Sequence, residues 1–149
     1  MKDFKERLNY FFVKCFYSIL LSEEKSLAQI TGGDLSLKEV HVIEQVFRTM
    51  ENSKNTFSVI AEKLNVTLGT LTTAFNKLEK KGYLVKVQDT NDRRIFYVKP
   101  TKKAEEINNK HLDFHKRMID DVIKLMPNTD VEQLITSLEG LAEFFKTFK

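Results

Sequence analysis

The chemistry legible in this sequence is recognition rather than bond making. Between Thr67 and Lys80, Leu71, Phe75 and Leu78 recur at helical spacing. With Leu71 at the buried centre, a turn of about 100° per residue carries Gly69, Thr70, Thr73, Asn76, Lys77 and Lys80 outward. That face is small, polar and basic. Threonine methyls can meet thymine methyls, Asn can pair with adenine, and Lys can hold phosphate or guanine. Thr67 caps the helix and joins the candidate DNA contacts. Taken alone, the same face also reads as a solvated surface that touches nothing. A second feature favours DNA. Asn91-Asp92-Arg93-Arg94 puts two arginines in one polar turn, beside an acid that can orient one of them. An Arg at such a tip fits a narrow minor groove, where the potential is most negative. The alternative is a charged turn held together by an Asp–Arg pair. The expectation is that one Arg braces the turn and the other reaches DNA.

Catalytic patterns are missing. No Ser/His/Asp or Cys/His arrangement stands out, and the five glycines are scattered apart from Gly32-Gly33, so no phosphate loop forms. The chain is not expected to be an enzyme. The competing class is a protein-interaction module that uses the same elements without touching DNA.

The elements that must position these residues follow from periodicity. A first helix runs from about Asp3 to Gln29, with Phe4, Leu8, Phe11, Phe12, Cys15, Phe16, Ile19 and Leu20 at helical spacing. Ser36 with Glu39 reads as a capping box for a second helix, whose buried stripe is Leu37, Val40, Ile43, Val46, Phe47 and Met50. The polar run 52–55 ends it. Thr56 caps a short helix carrying Ile60, Ala61 and Leu64, and Asn65-Val66 turns into the Thr67 helix, whose inner face begins at Leu68. Gly82 suits the position just past a helix end, where left-handed backbone is needed. From Tyr83 the period changes to alternation, and two runs around the tip at Asp89–Arg94 read as a hairpin. Thr101 opens a long helix to about Met126, Pro127 and Asn128 break it, and a last helix carries Val131, Leu134, Ile135, Leu138, Leu141, Phe144, Phe145 and Phe148. The predicted fold class is mainly α: a winged helix-turn-helix at 36–100 with a two-stranded β wing, and helices at 1–35 and 101–149 forming a dimerisation region. Apolar stripes at both chain ends, wider than one small core can cover, predict a homodimer.

Charge agrees. Between Thr56 and Pro100 eight Lys/Arg stand against four acids, whereas the rest of the chain has sixteen bases against seventeen acids. Positive charge gathered in one segment suits phosphate contact. Charged residues Asp3, Lys5, Glu6 and Arg7 break the N-terminus, so no signal peptide is read, and no apolar run is long enough to span a bilayer. A single Cys15 offers no internal disulfide, and its place between Phe12 and Phe16 predicts a buried thiol rather than a redox sensor. A cytoplasmic protein without a required cofactor is the expectation.

The run from Val66 through Thr67, Gly69 and Phe75 to Gly82, the wing Asp92-Arg93-Arg94, and Thr101-Lys102-Lys103 together resemble the MarR family of bacterial regulators. The resemblance covers almost the whole chain. It implies a dimeric winged helix-turn-helix repressor bound to a palindromic double-stranded operator. Two positions depart from the family pattern: Ala104, where Gly is usual, and Pro100, where Leu is usual. Both bear on the junction between wing and following helix.

Within that family, Thr67 to Thr73, Glu39-Val40-His41, and His111 to His115 followed by Lys116 and Arg117 resemble the branch that represses fatty-acid synthesis genes. That resemblance implies long-chain acyl-acyl carrier protein as corepressor. Phe11, Phe12, Phe16, Phe47 and Phe114 are then candidates to line an acyl tunnel, and equally candidates for core and interface. Lys116 and Arg117 could face the acidic carrier. His111 and His115 share a helix face, and with His41 they also resemble the zinc-sensing branch; Glu23 or Glu24 could complete a zinc site. Paired helical histidines serve as well as hydrogen-bonded interface residues.

Overall fold

The computed structural model describes residues 3–52 and 54–148; Ser53, within the polar run that ends the second helix, lies outside them. The chain divides into two compact units, Met1–His111 and Leu112–Lys149.

The first unit begins with α1 (Phe4–Thr31), which stops at Gly32 in left-handed backbone, φ 63°. Gly32 N–H donates to the Ala28 carbonyl at 3.0 Å, and such a cap needs a residue without Cβ strain. The capping box at the start of α2 (Leu37–Asn52) is present. Ser36 N–H donates to Glu39 Oε2 at 2.8 Å, and Glu39 N–H donates to Ser36 Oγ at 3.2 Å. Thr56 and Thr67 cap α3 (Phe57–Leu64) and α4 (Leu68–Lys80) by accepting from the Val59 and Thr70 N–H groups. Between these helices Asn65 turns the chain at φ 55°. Gly82, φ 84°, releases the chain into a two-stranded antiparallel sheet. Its strands are β1 (Leu84–Gln88) and β2 (Phe96–Pro100), with Leu84 opposite Pro100 and Gln88 opposite Phe96. The start of α5 (Lys102–Lys124) completes the unit.

One core holds this unit together. Ile43, Val46, Ile60, Phe75, Leu78 and Leu84 are all at most 1% exposed, and Leu27 of α1 and Ile107 of α5 close its ends. Phe75 meets Phe57 edge to face at 4.9 Å. The wing root is tied down separately: Asn55 Nδ2 donates to the Val98 carbonyl at 2.7 Å, and Val98 N–H donates to the Asn55 carbonyl at 2.8 Å. The two departures from the family pattern fit quietly. Pro100 ends β2, where a missing N–H is tolerated, and the Ala104 methyl is fully buried.

Several inward assignments need correction. Met50 is exposed, because near the end of α2 the buried side is that of Thr49 rather than Met50; Val42 and Thr49 are buried instead. Leu68 is exposed in the first turn of α4, ahead of Leu71. Cys15 is exposed, not buried. The reason is general along α1: Phe4, Leu8, Phe11, Phe16, Ile19 and Leu20 are all exposed in the single chain.

The second unit consists of the remainder of α5 and α6 (Asn128–Thr147), which starts after Pro127 as the break predicts. None of its described residues is buried, and Leu134, Ile135, Leu138, Phe144 and Phe145 are exposed. Exposed apolar residues gathered in such number are a mark of an interaction surface.

Candidate nucleic-acid interface

The outer face of α4 is available along its length. Thr67, Gly69, Thr70, Thr73, Asn76, Lys77 and Lys80 are all exposed, while Leu71, Phe75 and Leu78 beneath them are 2% exposed or less. The inner anchors therefore seat α4 on the core while its polar side faces out. Thr73 Oγ1 donates back to the Gly69 carbonyl at 3.0 Å, so its hydroxyl is bonded within the helix. A Cβ placed at Gly69 would meet nothing within 4 Å. A helical Gly costs about 1 kcal/mol against Ala, so no packing demand within the chain accounts for it. A bare backbone does suit close approach of an external surface. Alongside, Lys38, Val42, Leu64, Thr70, Ala74 and Lys77 line a groove between α2 and α4.

The wing tip is pre-formed by two carboxylates. Asp89 Oδ2 accepts from the N–H groups of Asn91 (3.0 Å) and Asp92 (2.8 Å), and its Oδ1 accepts from Tyr97 Oη (2.9 Å). Those bonds hold the Asp89 carboxyl below the usual carboxylate range, chiefly through the Asp92 N–H. Asp92 in turn grips Arg94: Oδ1 accepts from the Arg94 N–H at 3.0 Å and Nε at 3.1 Å, and Oδ2 accepts from Nη2 at 3.1 Å. The Arg94 contact lowers the Asp92 pKa. Arg94 is thus the arginine that the Asp92 carboxylate braces. Arg94 is both braced and 90% exposed, so its guanidinium is oriented without being consumed. Arg93 is exposed, and its carbonyl accepts from Gln88 Nε2.

Residues 36–96 match the MarR family. The crystal structure of Streptococcus pneumoniae FabT in complex with DNA has the same fold, with a TM-score of 0.87 and 33% identity over 97% of this chain and 99% of that one. The chain belongs to the MarR family. This MarR-type transcriptional regulator is also similar to AdcR of Streptococcus pyogenes, 25% identical over 118 residues that cover 78% of this chain and 80% of AdcR. The Staphylococcus aureus MepR–DNA complex, at 15% identity and a TM-score of 0.73 over 91% of this chain and 97% of that one, shares the fold. No helix among the described residues is long and apolar enough to cross a membrane.

The histidines gather around a partner that the spacing argument missed. His111 is 2% exposed, and its Nε2 lies 3.5 Å from Glu44 Oε2. Arg48 donates to the other Glu44 oxygen at 2.6 Å. The hydrogen bond from His111, aided by Arg48 and opposed by burial, holds the Glu44 carboxyl down to about 2. His41 lies with its ring 6.1 Å from that of His111 and its Nε2 4.0 Å from Glu23. One ligand atom each from His41, Glu44 and His111 fall within 4.8 Å of one another. Glu24 is exposed and does not join this group; Glu23 is the acid that meets His41. His115 follows His111 by one turn of α5, in the second unit. The Glu44-Arg48 spacing of four was a visible signal, but only tertiary packing brings His111 to it.

Proposed function

We propose that this MarR-type regulator is a homodimeric repressor that binds a palindromic operator upstream of fatty-acid synthesis genes, with long-chain acyl-acyl carrier protein as corepressor. Residues 36–100 read the DNA and residues 1–35 with 101–149 pair the protomers. The observation that carries the reading is the likeness to DNA-bound FabT over nearly the full length of both chains. The geometry supports the DNA half of it. An anchored α4 presents Gly69, Thr70, Thr73, Asn76 and Lys77 to the major groove, and an Asp92-oriented Arg94, with Arg93 beside it, reaches the adjacent minor groove. Pairing of the protomers is supported by the apolar residues that α1 and α6 leave exposed in the single chain. Of the candidates to line an acyl tunnel, Phe12 and Phe47 are half-buried while Phe11 and Phe16 are exposed in the single chain.

The test is fluorescence anisotropy on a duplex from the regulated promoter, with metals chelated. Tightening by long-chain acyl carrier protein, and none by the bare carrier, is expected. Unchanged operator affinity in both would remove the corepressor.

A zinc-responsive repressor is the second reading, favoured by the clustering of His41, Glu44 and His111. Two imidazoles and a carboxylate suit zinc. Against it, Arg48 already holds Glu44, so the group is electrostatically satisfied without a cation. Loss of any zinc effect on operator affinity in His111→Ala is expected under this reading; no zinc effect in the unaltered protein sinks it.

A further inference from the structure

A cluster of polar side chains joins the α1–α2 turn to the C-terminal end of α4, the entrance to β1 and the start of α5. Tyr83, at the entrance to β1, is 2% exposed and donates its hydroxyl to Asp34 Oδ2 at 2.6 Å. Burial and the Asp34 carboxylate both push the phenol well above its ordinary range, so it stays a donor. The same hydrogen bond is the main cause that lowers the Asp34 pKa, with Lys103 and Lys81 adding to it. Lys81, the last cap of α4, donates to the Asp34 carbonyl at 2.6 Å and to both Glu39 oxygens at 3.1 and 3.2 Å. Glu39 is the carboxylate of the α2 capping box. From the start of α5, Lys103 donates to the Lys81 carbonyl at 2.9 Å and lies 4.3 Å above the Tyr83 ring. Five segments therefore meet at Asp34, Glu39, Lys81, Tyr83 and Lys103.

We infer that Asp34 and Tyr83, the latter just past the end of α4 at the entrance to β1, are positioning residues for operator recognition: their hydrogen bond sets the angle of α4 and of the wing without touching DNA. The inference rests on the operator reading above. Its physical basis is leverage. Helix α4 has 13 residues, about 20 Å of length, so a tilt of about 3° at Lys80 displaces the Thr67 end by about 1 Å. Base-edge hydrogen bonds do not survive such a shift, whereas phosphate contacts made by long cationic side chains do. The latch is thus needed for specific affinity far more than for non-specific affinity.

The variants are Tyr83→Phe, which removes the donor and keeps the ring, Asp34→Asn, and the double substitution. Each is titrated against the operator duplex and a scrambled duplex of equal length over a range of salt, well below its thermal midpoint. Expected are at least a fivefold loss of operator affinity in each single variant, unchanged affinity for the scrambled duplex, an unchanged salt slope, and a double variant no weaker than the worse single one. Wild-type operator affinity in both single variants overturns the latch, and so does an equal loss on both duplexes, which is the mark of a merely structural role. Should the unaltered protein itself show no preference for operator over scrambled DNA, the operator reading fails first and the latch falls with it.

Discussion

Arg94 and Asp92 make different contributions that salt can separate. Arg94→Ala deletes a cation at each wing tip, two in the proposed dimer. Each phosphate neutralised contributes about 0.9 to the slope of log affinity against log salt. Losing two lowers the steepness by about 2, and at ~0.1 M salt the affinity falls about 60-fold, since each contact there is worth about a factor of eight. Asp92→Ala keeps the cation and loses only its three bonds of 3.0, 3.1 and 3.1 Å. The 90% exposed guanidinium must then be ordered on binding, which weakens affinity about two- to tenfold per protomer while the slope stays near that of the unaltered protein. The assay is anisotropy of a labelled operator duplex between about 50 and 200 mM salt, with circular dichroism confirming the fold. An unchanged slope in Arg94→Ala refutes phosphate neutralisation at the wing. Equal slopes in the two variants, both below the unaltered protein, refute the orienting role of Asp92.

Phe75→Ala, which empties a site 1% exposed, is expected to cost about 3–5 kcal/mol in denaturant unfolding. Thr67→Ala removes the bond to the Thr70 N–H and costs about 1 kcal/mol, whereas Asn76→Ala, on the exposed face, leaves stability within about 0.5 kcal/mol and weakens operator binding. Because the Glu44 carboxyl sits at about 2 in the folded chain against an ordinary 4.5, its stabilisation is whole above about pH 5 and is lost as the pH falls through 4.5 toward 2. Glu44→Gln should flatten that limb of the stability–pH curve by about 1–2 kcal/mol, a figure discounted for solvent around Arg48; an unaltered limb rules out the depressed carboxyl.

The local features of this protein are legible residue by residue. The caps at Ser36, Thr56 and Thr67, the left-handed turn at Gly82 and the Pro127 break are decided by neighbours within four positions, and they stand where spacing places them. The outward face of α4 is equally local, because helical periodicity alone separates Leu71, Phe75 and Leu78 from Thr70, Thr73 and Lys77. Tertiary structure decides what periodicity cannot. A stripe says which residues are apolar and not whether anything covers them, so Met50, Leu68 and Cys15 lie exposed although their positions read as inward. The acid paired with a histidine depends on how helices cross: Glu23 rather than Glu24 meets His41, and Glu44 meets His111 across 67 residues of chain. The bonds that gather Asp34, Lys81, Tyr83 and Lys103 span up to 49 positions. No local pattern announces them, because such contacts come into being only when the core has brought the α1–α2 turn against the base of the wing.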